Sequence, residues 1–174
     1  VCMWLKNLNL DNEVRVWLLM GGESDDDWDT YPESEQILIG TQDMLLSRAL
    51  NRGYAMSRYR WPVQFGLLNN DCQWVLDEVQ LMGNGLATSA QLAAFRKQFG
   101  VWGECPTLWV SATFDLSWLE TVDFRPHVPG LRRCTLSDSD LANSNISRRL
   151  EARKQVSKSS ARAGEPDELA NEVI

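Results

Sequence analysis

Four short apolar runs constrain this chain more than any other feature. Val14–Met20, Ile37–Ile39, Trp74–Leu76 and Leu108–Val110 are rich in β-branched and aromatic residues and lack polar alternation. Such runs suit strands covered on both faces, as in a parallel sheet. The stretches between them carry helix signals. One helix starts at Thr41 or Asp43 and ends near Gly53. Another spans Leu86–Phe99, with Leu92, Phe95 and Phe99 at i, i+3, i+7. Shorter helices are predicted at Trp4–Leu10 and Leu116–Glu120. Strands alternating with helices predict an α/β fold: a parallel sheet flanked by helices.

The linking segments read as irregular. Residues 23–36 are acidic, contain Pro32 and suggest a solvated loop. Residues 54–70 are aromatic, and Pro62 argues against a helix there. Apolar content falls after Ser137, so residues 1–136 are expected to be the folded unit and 137–174 an exit linker, partly disordered from Ser157 to Glu172.

With 174 residues, 44% of them apolar, the chain can build one domain with a real core. No apolar run approaches the ~18 residues of a membrane span, so no membrane partner is expected. Cys2, Cys72, Cys105 and Cys134 have no C-x-x-C spacing and read as free thiols of a reducing cytosol rather than a disulfide frame or zinc site, so a cytoplasmic protein is expected. The lone His127 reads as a surface residue. Net charge is −7, which argues mildly against a general nucleic-acid binder. The acids, however, crowd residues 11–36. Arg48, Arg52, Arg58 and Arg60 form one basic patch, and Arg148, Arg149, Arg153, Lys154, Lys158 and Arg162 a second.

Three elements carry chemistry. Asp77-Glu78-Val79-Gln80 follows the apolar strand 74–76. Ligands of open parallel sheets bind outside the carboxyl ends of strands, and two carboxylates there suit a nucleotide hydrolase: one for Mg²⁺, one for the attacking water. Taken alone, the pair reads equally as surface acids. Ser111-Ala112-Thr113 ends the next strand, one helix later. Gly40-Thr41-Gln42 sits at a strand-to-helix junction, a ready phosphate site or a plain helix cap. Tyr54, Tyr59, Trp61 and Phe65 interleave with Arg58 and Arg60, a mix that stacks single-stranded bases or packs a loop.

This order of motifs resembles the first RecA-like lobe of superfamily-two helicases, and more closely the helicase-nuclease of type I CRISPR systems, most like the type I-U branch. The residues that carry the likeness are Val16–Glu23, Ile37–Tyr59, Asn69–Met82, Leu86–Leu92 and Ser111–Thr113. The resemblance implies a P-loop NTPase fold with ATP and Mg²⁺ as cofactors. Asp77 is implied to hold Mg²⁺, Glu78 to activate water, and Gln80 to help bind nucleotide and link it to the nucleic-acid groove. Ser111, Ala112 and Thr113 are implied to couple hydrolysis to lobe movement. Gly40, Thr41 and Gln42, with Arg48, Arg58 and Arg60, are implied to face single-stranded or target DNA. Proteins of a CRISPR effector complex are the implied partners, and the implied setting is a prokaryotic cytoplasm.

The 174 residues contain no G-x-x-x-x-G-K-[ST] phosphate loop. The chain is therefore expected to be part of a longer enzyme whose phosphate loop, second lobe and nuclease lie elsewhere, and to be inactive alone. The alternatives are another superfamily-two motor and a non-catalytic scaffold lobe of the same fold.

Overall fold

A computed structural model of the chain describes residues 1–20, 23–24, 26–53 and 56–153. They fall into two compact units, Val1–Leu131 and Arg132–Ile174. Gly21, Gly22, Tyr54, Lys154, Lys158, Arg162 and the stretch Ser157–Glu172, all singled out above, lie outside the described residues, as does the side chain of Glu23.

The first unit is mixed α/β. It contains helix α1 (Cys2–Asn7), strands β1 (Arg15–Met20), β2 (Glu23–Ser24) and β3 (Gln36–Gly40), helices α2 (Gln42–Ala49) and α3 (Trp61–Asn69), strand β4 (Trp74–Leu76), helix α4 (Asn84–Phe99) and strand β5 (Thr107–Trp109). Short 3-10 turns cover Asp26–Thr30, Arg58–Arg60, Val79–Leu81, Leu116–Leu119 and Arg125–Gly130. All four expected strands form. They do not join one ladder among the described residues. β1 pairs in parallel with β3 and antiparallel with the unexpected β2, while β4 pairs in parallel with β5. Only the β4–α4–β5 connection carries an α-helix between parallel partners.

β1, β4 and β5 are buried on one face, not two, and β3 is half-buried along its length. Side chains alternate along a strand. Leu19, Trp74 and Leu76 point into the core, joined by the partly buried Trp17 and Trp109. Leu18, Met20, Val75 and Leu108 point outward and are exposed. Helices α2, α3 and α4 supply the other side of the core through Leu46, Ala49, Leu68, Leu86, Ala90 and Ala93. Each of these leucines stabilises the fold by roughly 1.5–3 kcal/mol when fully buried, and each alanine methyl by about 0.8 kcal/mol. The buried stripe of α4 runs through Leu86, Ala90 and Ala93, and Phe95 and Phe99 face out. Two tryptophans pin the strands: Trp74 donates its indole N–H to the Leu68 carbonyl (2.8 Å), and Trp109 donates to Ser89 Oγ on α4 (2.9 Å).

Two linking segments are ordered where irregular loops were expected. Pro62 sits in the first turn of α3, where a missing N–H costs nothing. The acidic stretch holds the 3-10 turn Asp26–Thr30, and its Trp28 is only 3% exposed. Beside it, Asp29 pairs with Arg60 and accepts from Gln64 Nε2 at 2.9 Å. Gln64 Oε1 in turn accepts from Arg48 Nε at 2.8 Å. A buried polar chain thus ties the acidic segment to α2 and α3. His127 is half-buried against the Phe124 ring, rather than on the surface.

In the second unit, helices α5 (Asp138–Leu141) and α6 (Ser144–Leu150) occupy part of the expected linker. Ser137 and Asp140 form a capping box, and the Ser137 hydrogen bonds hold the Asp140 carboxyl below its usual range. Arg148, Arg149 and Arg153 are exposed.

An anchored acidic segment gives a clear expectation. Trp28→Ala should lower stability by about 3–5 kcal/mol, the cost of emptying a buried tryptophan site. Trp102→Ala, at a residue 96% exposed, should stay within about 0.5 kcal/mol. Urea unfolding of both variants checks this. Equal midpoints would mean that the segment is not held by Trp28.

Candidate functional site

β4 and β5 run side by side with Trp74 opposite Thr107 and Leu76 opposite Trp109. The ladder continues past the strands. The Val110 amide donates to the Leu76 carbonyl at 2.8 Å, and the Val79 amide donates to the Val110 carbonyl at 3.2 Å. Val79 is fully buried and locks this crossing in place. The residues after each strand are thereby delivered to one edge, at the carboxyl ends of both.

That edge gathers the two predicted motifs. Ser111 Oγ donates to Gln80 Oε1 at 2.6 Å, and Gln80 Nε2 donates to a Glu78 carboxylate oxygen. The Thr113 amide donates back to Ser111 Oγ at 3.1 Å. Asp77 Oδ1 accepts the Glu78 amide at 2.9 Å. Asp77, Glu78 and Gln80 are exposed, as are Ala112 and Thr113, and Ser111 is half-exposed. Ala112 contributes no polar side-chain atom and serves as the spacer between Ser111 and Thr113. The result is a solvent-facing relay, hydroxyl to amide to carboxylate, with a second carboxylate beside it.

The backbone at Glu78 is special. Its φ of 50° and ψ of 45° lie in the left-handed region, where a side chain costs roughly 1–2 kcal/mol. Such strain concentrates where a side chain must be aimed. Here the twist ends β4 and starts the Val79–Leu81 turn, which returns Gln80 to the same edge as Glu78.

The chemistry of the donors can be tested against Mg²⁺. Two carboxylates are hard oxygen ligands of the kind Mg²⁺ prefers. Among the described residues no group of three or more His, Cys, Asp or Glu side chains gathers for a metal. Asp77 offers one such exposed oxygen ligand, which suits an ion that takes its remaining ligands from phosphate oxygens and water.

The other predicted residues lie apart. Gly40 ends β3, where a Cβ would lie 2.6 Å from the Leu19 carbonyl oxygen, so the β1–β3 approach requires glycine. Thr41 is the exposed N-cap of α2, and its hydroxyl makes no capping bond. Gln42 Oε1 is buried against Gly85 at the start of α4, where a Cβ would collide with it. No hydrogen bond joins Gly40, Thr41 or Gln42 to the Ser111–Gln80–Glu78 relay among the described residues.

The arginines divide sharply. Arg48 is 1% exposed, with its guanidinium on Gln64 and the Met44 carbonyl, so it leaves the expected DNA-facing set. Arg60 is half-buried and engaged with Asp29. Arg58 is exposed, 5.8 Å from the centre of the Trp61 ring, and the neighbouring Tyr59 is 94% exposed. Sequence reasoning could not separate these arginines, because their partners lie up to 31 residues away.

No protein-family model, no curated protein and no solved structure matches this chain. Likewise, no helix among the described residues is long and apolar enough to cross a membrane.

The strain at Glu78 is measurable. Glu78→Gly should be as stable as the parent or more stable by up to about 1 kcal/mol, since glycine accepts a positive φ. Glu78→Val should lose about 1–2 kcal/mol. Thermal unfolding of the pair checks this; a valine variant as stable as the glycine variant would remove the left-handed turn from the account.

Proposed function

We propose that residues 1–136 are part of the first RecA-like lobe of an ATP-dependent superfamily-two DNA helicase acting in CRISPR interference, an antiviral defence. The observation that carries this reading is the Ser111–Gln80–Glu78 relay at the carboxyl ends of two adjacent parallel strands. A nucleotide hydrolase needs a carboxylate for the metal and another for water, and a motor needs that second carboxylate tied to a segment that moves. The CRISPR assignment rests on the resemblance of residues 16–23, 37–59 and 69–82 to that branch.

In this reading Asp77 would hold Mg²⁺ on the phosphates of ATP, which supplies charge neutralisation at the transferred phosphoryl group. Glu78 orients the attacking water and takes its proton. Gln80 holds the Glu78 carboxylate in place and passes its position to Ser111. Thr113 fixes the Ser111 hydroxyl through its own amide. A phosphate loop and an arginine finger come from outside these 174 residues. The exposed Leu18 and Met20 on one ladder, and Val75 and Leu108 on the other, then belong to outer faces that flanking parts of the lobe cover. Arg58 and Tyr59 are the residues best exposed to meet a single strand, by phosphate pairing and base stacking.

The test is kinetic, in an enzyme that joins these residues to their phosphate loop. Glu78→Gln keeps shape but removes the proton acceptor. Turnover should fall about 10²–10⁴-fold with ATP affinity little changed. Asp77→Asn should weaken Mg²⁺ binding as well, and recover in part at raised Mg²⁺. Retention of more than about a third of normal turnover by Glu78→Gln would mean that this carboxylate is not the base.

DNA contact has its own readout. Arg58→Ala should reduce the log–log salt slope of single-strand binding by about 0.7, one phosphate contact. Arg60→Ala should instead lower the melting temperature, because Asp29 loses its ion pair. An unchanged slope for Arg58→Ala would take it out of the interface.

A further inference from the structure

The β4–β5 register also joins two side chains at the other end of the strands. Cys72 precedes Trp74 by two residues, Cys105 precedes Thr107 by two, and Trp74 is opposite Thr107. The two sulfurs consequently meet at 3.3 Å, half-buried. Cys72 also lies 3.2 Å from the Leu68 carbonyl oxygen. Arg96, buried on α4, stands over the Trp74 ring and is fixed by Asn69 Oδ1 (2.9 Å) and Thr107 Oγ1 (3.3 Å). No other cysteine pair meets among the described residues, and Cys2 and Cys134 are exposed.

We propose that Cys105 and Cys72 form an oxidation site: a dithiol that hydroperoxides convert to a reversible disulfide, with Cys105 the attacking sulfur and Cys72 the resolving one. The roles follow from geometry first: the Cys72 thiol donates to the Leu68 carbonyl oxygen at 3.2 Å and so keeps its proton, while Cys105 lies 3.8 Å from the same oxygen. The Cys72 hydrogen bond, followed by the Arg96 charge, holds the Cys105 thiol down to about 7 against the opposing effect of burial. The same hydrogen bond and burial push Cys72 up. The thiolate is the nucleophile, so reaction starts at Cys105.

The chemistry balances in two steps. The Cys105 thiolate attacks one oxygen of the hydroperoxide; an S–O bond forms, the O–O bond breaks, and the departing oxygen takes a proton from solvent and leaves as water or an alcohol. Cys105 is now a sulfenic acid, oxidised by two electrons. The Cys72 sulfur attacks Cys105; the S–S bond forms, the S–O bond breaks, and the hydroxide leaves as water with the Cys72 proton. A disulfide of this kind is compatible with a reducing compartment, where transient redox bonds occur. It would tie the starts of β4 and β5 and close the loop that holds α4. The inference stands independently of the nucleotide reading.

The experiment uses the full chain with Cys2→Ser and Cys134→Ser, which leaves only this pair. After hydrogen peroxide, digestion without reductant should yield one peptide linking Cys72 to Cys105, two hydrogens lighter and released by dithiothreitol. The melting temperature of the oxidised form should rise by about 5–10 °C. In the reduced protein, limiting iodoacetamide should label Cys105 about tenfold ahead of Cys72. Separate sulfinic acids with no link would overturn the dithiol site. Labelling of Cys72 first, or of both equally, would overturn the assigned roles.

Discussion

The Ser111–Gln80–Glu78 relay and the Cys72–Cys105 pair both hang on the parallel pairing of β4 with β5. Three residues on each strand, extended by the Val110–Leu76 and Val79–Val110 backbone bonds, set the register. That register brings Ser111 to Gln80 at one end and Cys105 to Cys72 at the other. A slip of one residue would turn Trp74, Leu76 and Trp109 out of the core and separate both clusters. The indole bonds of Trp74 to Leu68 and of Trp109 to Ser89 resist such a slip. α4 bridges the two strands and contributes Arg96, whose bonds to Asn69 and Thr107 bind α3, α4 and β5 together.

Much of this was legible in the sequence. The four strands were readable because their β-branched and aromatic residues are contiguous. α4 was readable over Leu86–Phe99 from the i, i+3, i+7 spacing of Leu92, Phe95 and Phe99, although its buried face runs through Leu86, Ala90 and Ala93 and leaves the phenylalanines outside. The motifs at 77–80 and 111–113 were visible because each follows a strand. Their meeting through Gln80 and Ser111 was not, since hydrogen-bond partners across strands depend on register.

Two of the misreadings share one physical cause: polar residues that tertiary contacts bury. Seven acids among residues 23–36 disguised a packed turn around Trp28 as a solvated loop. Arg48 looked like a DNA contact because a buried arginine is rare; it is tolerated here through its bonds to Gln64 and the Met44 carbonyl. Pro62 looked like a helix breaker because its place in the first turn of α3 depends on where that helix starts. The Cys72–Cys105 contact had a faint signal, an equal offset of two residues before each strand, which has meaning only once the strands are known to pair in that register.

The relay from Ser111 through Gln80 to Glu78 is the central claim, and a double-mutant cycle tests it most directly. Gln80→Ala, Ser111→Ala and the double variant would be compared for DNA-stimulated ATP turnover in an enzyme carrying the phosphate loop. If the three side chains act as one unit, the double variant should be no slower than the worse single variant, with a coupling of about 0.5–3 kcal/mol. Losses that simply add, with coupling near zero, would mean that the hydrogen bonds joining the two strand ends carry no part of the function.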